Sequence, residues 1–184
     1  MLEQRQQWNA PPRAPPVGKE GCVGRDDLDR DDADTQLGEE TPHERDEAAV
    51  RAVIEAIVAA VRQGDIEAML AQCSPDIVTF DMVEPLQHEG VNSVRRVWRK
   101  TLAEFEPPIE YDALDIQIEV GGDVAFVRCL NEFGGKRRDG RVALSHRRAT
   151  FGLTRIEGCW KVVHEHVSVP FDMRTGKALL DLDR

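Results

Sequence analysis

The fold of this chain is decided by the run Trp160-Lys161-Val162-Val163-His164-Glu165-His166-Val167-Ser168-Val169-Pro170. It predicts a long last strand that ends at the proline, which cannot continue a ladder of hydrogen bonds. Side chains two residues apart in a strand share one face. One face is therefore expected to carry Trp160, Val162, His164, His166 and Ser168, and the other Lys161, Val163, Glu165, Val167 and Val169.

Three further long strands precede this run and are predicted over residues 109–120, 124–133 and 142–156. In the first of them the apolar parity shifts between Tyr111 and Leu114, which indicates a β-bulge near Ala113. The turn Gly121-Gly122-Asp123 predicts a tight hairpin into the next strand. Four long strands joined by such turns indicate an antiparallel sheet.

Three helices precede the sheet, with one short strand, residues 77–82, between the second and the third. A capping box of Thr41 and Glu44 begins the first helix, whose apolar residues recur at helical spacing until Gly64 ends it. Asp65 caps a short second helix. The order predicts an α+β fold in which three helices pack on a strongly curved antiparallel sheet.

The first 40 residues differ in composition from the rest of the chain. They contain four prolines at positions 11, 12, 15 and 16, and six aspartates fall within residues 26–34. Such a segment buries too little apolar surface to offset the entropy lost on ordering. The sequence therefore predicts a disordered acidic tail over residues 1–40 and a single folded domain over residues 41–184.

The overall charge of the chain disfavours some classes of binding partner. The formal net charge of the 184 residues is −10, and an acidic surface repels the phosphate backbone of nucleic acids. No apolar run approaches the roughly 18 to 20 residues that span a bilayer, and the N-terminal residues have no apolar signal region. We expect a cytoplasmic protein with no nucleic-acid or membrane partner.

Three stretches resemble motifs of the nuclear transport factor 2-like (NTF2-like) superfamily, in its SnoaL-like and ketosteroid isomerase homologue branch. Residues 63–68 (QGDIEA) are similar to the link between the family's first two helices, 74–78 (SPDIV) to the entry into its first strand, and 158–170 to its closing strand. The resemblance covers about residues 41–175. It implies a cystatin-like cone, in which the sheet curls around a pocket that the helices close.

The resemblance also implies two charged pocket residues. Asp81 falls where ketosteroid isomerase has its general base, near the end of the first strand; alternatively, it binds backbone or solvent at a strand end. Arg128 resembles an arginine that holds a carboxylate in the association domain of calcium/calmodulin-dependent kinase; alternatively, it forms a structural ion pair with Glu132 or Glu165. The isomerase's oxyanion-binding tyrosine and second acid have no counterpart here, which disfavours steroid isomerisation.

The remaining predicted residues fall into two groups. The pocket is expected to be lined, besides Asp81 and Arg128, by Phe80, Trp98, Phe126, Phe151, Val163 and Glu165. His146, His164 and His166 are expected on the convex face of the sheet, as structural residues or at a homodimer interface. His164 and His166 could instead hold a metal with a third ligand, but the resemblance implies no metal and no cofactor.

Two classes of function follow from these expectations. The first is a small-molecule pocket protein that works as a cofactor-independent isomerase, cyclase or dehydratase, with Asp81 as the base. The second is a non-catalytic dimeric binding or assembly module whose pocket accepts an anion. In either case the expected ligand is a small hydrophobic or anionic molecule.

Overall fold

The computed structural model of this chain describes residues 40–180 and residue 182. The predicted tail over residues 1–40 lies outside these residues, apart from its last position, and remains a prediction. The first helix, α1, spans Pro42–Gln63. Thr41 accepts a hydrogen bond from the backbone of Glu44, and the Glu44 side chain binds the backbone of Thr41, so the predicted capping box is confirmed.

Two shorter helices follow and the rest of the domain is mainly β-structure. Helix α2 spans Ile66–Leu70 and is capped by Asp65, whose carboxylate accepts a hydrogen bond from the backbone of Ala68. Helix α3 spans Val91–Leu102. The strands are β1 (Cys73–Phe80), β2 (His88–Glu89), β3 (Glu110–Gly121), β4 (Val124–Lys136), β5 (Val142–Ile156) and β6 (Cys159–Ser168).

The six strands form one sheet in the order β2-β1-β6-β5-β4-β3. The α+β class is confirmed, and the last four strands form the predicted series of antiparallel hairpins. Strand β1 pairs with β6 in parallel. The sequence did not indicate this pairing, because the choice of partner depends on how the three helices return the chain to the far side of the sheet.

The helices cover one face of the sheet, which we call the inner face. Alternate residues of the long strands point to this face and form the core with α1, α2 and α3. The largest fully buried side chains are Val50, Ile54, Val61, Ile77, Val127, Leu153 and Val162. Across the chain that the structure describes, no helix combines the length and apolar composition needed to cross a membrane.

Two β-bulges change which side chains reach the inner face. In β3 the register shifts between Leu114 and Gln117, where Asp115 has a positive φ of 54°; the predicted bulge exists and lies slightly beyond Ala113. In β6 the register shifts because Gly152 pairs with His164 while Leu153 pairs with Val162. Val163 is therefore an extra residue, and this second bulge was not predicted.

Candidate functional site

A narrow cavity lies between the helices and the inner face of the sheet. Its lining is mostly apolar and consists of Ile57, Met69, Cys73, Val94, Trp98, Tyr111, Phe151, Val162 and Glu165. The cavity volume is about 10 Å³, which is room for about one water molecule. Two of the lining residues, Tyr111 and Glu165, bring polar groups to this apolar space.

Glu165 reaches the cavity because of the bulge at Val163. Before the bulge, Trp160 and Val162 are buried on the inner face; after it, Glu165 takes that face, opposite Phe151 of β5. Burial raises the pKa of the Glu165 carboxyl to about 7, and the nearby carboxylate of Asp81 adds to this rise. Glu165 is thus an acid whose protonation changes near neutral pH.

Asp81 follows the last residue of β1 and lies near Glu165. In the parallel ladder Thr79 pairs with Glu165 and Phe80 with His166, so the chain turns Phe80 outward and Asp81 toward the inner side. Asp81 Oδ1 accepts a hydrogen bond of 2.6 Å from the backbone of Met82. Asp81 thus binds backbone at a strand end. It is not among the residues that line the cavity, although its charge acts on the carboxyl of Glu165, and its role as a base remains a prediction.

Arg147 brings a positive charge to the same inner face. Its guanidinium lies 4.3 Å from the centre of the Phe133 ring and donates to Ser145 Oγ. Burial lowers the pKa of Arg147, and nearby Tyr111, Asp81 and Glu165 partly offset this effect. Arg147 in turn opposes the rise in the pKa of Glu165. The position of Arg147 was not predicted, although Arg147 lies four residues before buried Phe151 in β5 and therefore on the same face.

Tyr111 is held by a short row of buried side chains on the neighbouring strand. Asn131 Nδ2 donates to the Tyr111 hydroxyl at 3.0 Å, and Cys129 Sγ donates to Asn131 Oδ1 at 3.2 Å. Only 4% of Tyr111 and 3% of Asn131 is exposed. Burial raises the pKa of Tyr111 well above its ordinary value, and the carboxyl of Glu165 raises it further. The phenol therefore stays protonated.

These groups form what we call the polar cluster: Asp81, Tyr111, Asn131, Arg147 and Glu165. The cluster contains two carboxyl groups and one guanidinium, so its charges do not favour the binding of an anion. Of its members, the sequence analysis assigned Asp81 and Glu165. Strand parity could have placed two of the others, Asn131 and Arg147, on the inner face, since they lie at inner-facing positions of β4 and β5.

The structure does not bring every predicted pocket residue to the cavity. Trp98 and Phe151 line it together with Glu165. Val163 does not, because the bulge at this residue gives the cavity position to Val162. Phe80 and Phe126 are 40% and 45% exposed on the opposite, outer face of the sheet.

Arg128 also lies on the outer face and is exposed. It follows inward-facing Val127 in β4, so strand alternation directs its side chain away from the cavity. Its guanidinium donates to Gln117 Oε1 of the adjacent strand. The expected encounter of Arg128 with Asp81 in one pocket is therefore not present, and Arg147 is the cation near the cavity.

The three histidines lie on the outer face and make separate contacts. The rings of His164 and His166 pack edge-on against Phe80, with ring centres 4.8 Å and 5.8 Å apart, respectively. His164 Nδ1 lies 2.9 Å from the carbonyl oxygen of Val78. His146 contacts the Glu132 carboxylate at 3.1 Å. Within residues 40–180 and residue 182, no three metal-binding side chains converge on one point.

Comparison with known proteins gives one family and a group of similar structures. The model of the SnoaL-like domain matches residues 50–172. A crystal structure of an NTF2-like protein of unknown function from Pseudomonas putida KT2440 is 35% identical, covers 76% of this chain and 97% of its own, and superposes with a TM-score of 0.69.

Two more distant structures share the fold. A ketosteroid isomerase-like protein from Erwinia carotovora atroseptica SCRI1043 is 22% identical, covers 67% of this chain and 95% of its own, and has a TM-score of 0.58. An NTF2-like protein with a cystatin-like fold from Novosphingobium aromaticivorans DSM is 16% identical, covers 67% of this chain and 80% of its own, and has a TM-score of 0.57. At these identities the likeness concerns the fold alone.

Proposed function

Because the chain belongs to the family of SnoaL-like domains, we propose that its cavity binds a small, largely apolar molecule and moves a proton on it without a cofactor. The reaction class is that of an isomerase, cyclase or dehydratase. Glu165 transfers the proton, and Asp81 is the second carboxyl of the pair. The expectation that Asp81 is the base becomes, in this proposal, a role shared between two carboxyl groups.

The observation that carries the proposal is the carboxyl of Glu165 in the apolar wall of the cavity. A general acid–base group works best when its pKa lies near the working pH. Burial and the neighbouring Asp81 raise the pKa of Glu165 to about 7, so both protonation states are populated at neutral pH. Arg147 opposes this rise in the pKa and favours the ionised form of the carboxyl.

The chemistry that this arrangement supports is proton transfer at carbon next to a carbonyl group. Ionised Glu165 removes the proton and, once protonated, returns it to the same or a neighbouring carbon. Apolar side chains such as Trp98 and Phe151 line the cavity beside the carboxyl. Apolar surroundings strengthen the electrostatic interactions of the carboxyl with a bound ligand. Glu165 returns the proton that it removes, so the reaction has no net change in protons or electrons. No redox partner is required.

The test is hydrogen exchange at the α-carbon of small ketones and enones in D₂O, followed by NMR with the full-length protein. We expect Glu165→Gln to reduce the exchange rate about 100-fold or more, which is the usual contribution of a general base, while ligand binding is retained. Glu119→Gln is the matched control, because Glu119 is exposed on the outer face of β3. Exchange at the wild-type rate in both Glu165→Gln and Asp81→Asn would exclude the proposed chemistry.

A second candidate function is a non-catalytic dimeric binding or assembly module. The observation that favours it is the cavity volume of about 10 Å³, far below the roughly 300 to 1,000 Å³ of ordinary ligand pockets. The anion-accepting form of this module would have to use Arg147, on which the charges of Asp81 and Glu165 already act. A screen of neutral and anionic compounds by thermal shift separates the two candidates, since the module without a ligand would respond to neither.

A further inference from the structure

The hydrogen bonds around Tyr111 have a direction. An amide nitrogen only donates, so the bond from Asn131 Nδ2 makes the Tyr111 oxygen an acceptor. The other end of the same amide, Oδ1, accepts from the thiol of Cys129. The row therefore runs from Cys129 through Asn131 to Tyr111, and each member donates to the next.

The last member of this row has a proton left to donate. Among the residues that the structure describes, the Tyr111 hydroxyl makes one hydrogen bond, and in that bond it accepts. Tyr111 also lines the cavity together with Glu165. Burial keeps the pKa of the phenol well above its ordinary value, so the hydroxyl retains its proton over the whole range in which Glu165 titrates.

We propose that the Tyr111 hydroxyl is a binding subsite for a neutral oxygen acceptor, such as a carbonyl oxygen, on the molecule that occupies the cavity. Asn131 is its positioning residue, because its amide occupies one lone pair of the phenol and turns the O–H bond toward the cavity. This inference deepens the proposed function and rests on it for the identity of the cavity as the ligand site.

The charges of the polar cluster give the subsite its selectivity. A ligand at Tyr111 lies beside the Glu165 carboxyl that lines the same cavity. The negative charge of Asp81 and the positive charge of Arg147 also act on Tyr111. A carboxylate or phosphate ligand would therefore meet net repulsion when Glu165 is ionised. A neutral carbonyl compound avoids this cost and still accepts the hydrogen bond. Of the hydrophobic or anionic molecules expected from the sequence, the subsite thus favours the neutral ones.

The probe is 2-cyclopentenone labelled with ¹³C at the carbonyl, whose infrared stretching frequency falls when its oxygen accepts a hydrogen bond. We expect binding to the wild-type protein to lower this frequency, and binding to Tyr111→Phe to leave it unchanged. Tyr111→Phe should also bind the probe about two- to tenfold more weakly, the usual effect of losing one neutral hydrogen bond. Cyclopentanecarboxylate should bind more weakly than the enone at pH 8, with a smaller difference at pH 6, where most of Glu165 is protonated and the ligand is still ionised.

Asn131→Asp keeps the phenol of Tyr111 and tests the direction in which its O–H bond points. A carboxylate only accepts, so it would draw the Tyr111 proton away from the cavity, and the shift of the carbonyl frequency should disappear although Tyr111 is present. Gln117→Glu is the matched control on the outer face. An unchanged frequency in Tyr111→Phe or in Asn131→Asp, or the lack of saturable binding by the wild type, would overturn the subsite.

The two proposals fail separately in these measurements. If Tyr111→Phe keeps the frequency shift while Glu165→Gln loses α-proton exchange, the subsite is wrong and the acid–base function stands. If Tyr111→Phe loses the shift while Glu165→Gln exchanges at the wild-type rate, the subsite stands and the cavity is a binding site without proton transfer.

Discussion

At the scale of single residues, Glu165 makes the stability of the fold depend on pH. Its pKa is raised from 4.5 to about 7 in the folded protein, so between these values the unfolded chain releases a proton that the folded chain retains. The free energy of unfolding therefore falls as the pH rises through this range. Each pKa unit corresponds to about 1.4 kcal/mol, so the loss amounts to up to about 3 kcal/mol.

We expect Glu165→Gln to remove this dependence, because glutamine keeps the shape and cannot ionise. At pH 8 the variant should be more stable than the wild type by up to about 3 kcal/mol, while at pH 4.5 the two should be nearly equal. Urea unfolding at the two pH values measures the difference. Glu119→Gln, which changes an exposed carboxyl, should leave the wild-type dependence in place; the same dependence in Glu165→Gln would contradict the assignment.

Of the five residues in the polar cluster, two were assigned to the site from the sequence and three were not. The resemblance directed attention to Asp81 and Glu165, which the structure brings close together. Arg147, Asn131 and Tyr111 were passed over, because no motif marks them and their roles depend on contacts across strands. Arg128 was placed in the cavity by resemblance, whereas the alternation of β4 puts it outside.

At the scale of elements, the bulge in β6 decides which chemistry the strand presents. Trp160 and Val162 are 5% and 1% exposed, so the strand before the bulge is fixed by core packing. A one-residue change of register moves every later side chain to the other face. Without a bulge, strict alternation would put Glu165 on the face opposite Val162. Deleting Val163 removes only the extra residue, so it should leave Glu165 on the inner face, opposite Phe151.

We expect the Val163 deletion to keep the pH dependence of unfolding between pH 4.5 and 7 that Glu165 causes, because Glu165 stays paired with Phe151. Val163→Ala is the matched control, because it keeps the extra residue and should keep the dependence. Urea unfolding of both variants gives the comparison. If the deletion variant is folded and loses the dependence, Glu165 has left the inner face and Val163 is not the extra residue of β6.

The predictability of each element depended on how local its signals are. The cap at Thr41 and the left-handed Gly64 at the end of α1 are local, and both are present as predicted. The bulge in β3 leaves a visible break in apolar parity. The bulge at Val163 leaves none, because a second valine simply follows Val162 and either residue suits a buried position. Its presence is evident only from the pairing with Gly152 and Leu153.

At the scale of the whole molecule, the outer face of the sheet suggests association. Phe80, Val124 and Phe126 are 40 to 59% exposed on this face. Phe126 pairs with Gly152, which pairs with His164, so the position between these two rings carries no side chain. We propose that a second copy of this chain covers the outer face, as the sequence analysis expected, with His164 and His166 near the contact.

Sedimentation at micromolar concentration should give a homodimer for the wild type. Phe126→Asp places a charge at the centre of the proposed interface, so it should shift the equilibrium to monomer. Leu86→Asp is the matched control, because Leu86 is an apolar residue that is 97% exposed in the loop after β1 and lies off the sheet face. A monomeric wild type, or a dimer that Phe126→Asp leaves intact, would refute this arrangement.

The narrowness of the cavity has a consequence for the timing of recognition. With room for about one water molecule, the cavity admits a larger ligand only while lining side chains such as Trp98 and Met69 are displaced. Entry then proceeds at the frequency of that opening, and raising the ligand concentration accelerates association only up to this ceiling. Escape must wait for the same opening. Residence time would thus be set by how tightly the helices pack, so a mutation in the core could lengthen or shorten occupancy without touching any group that contacts the ligand.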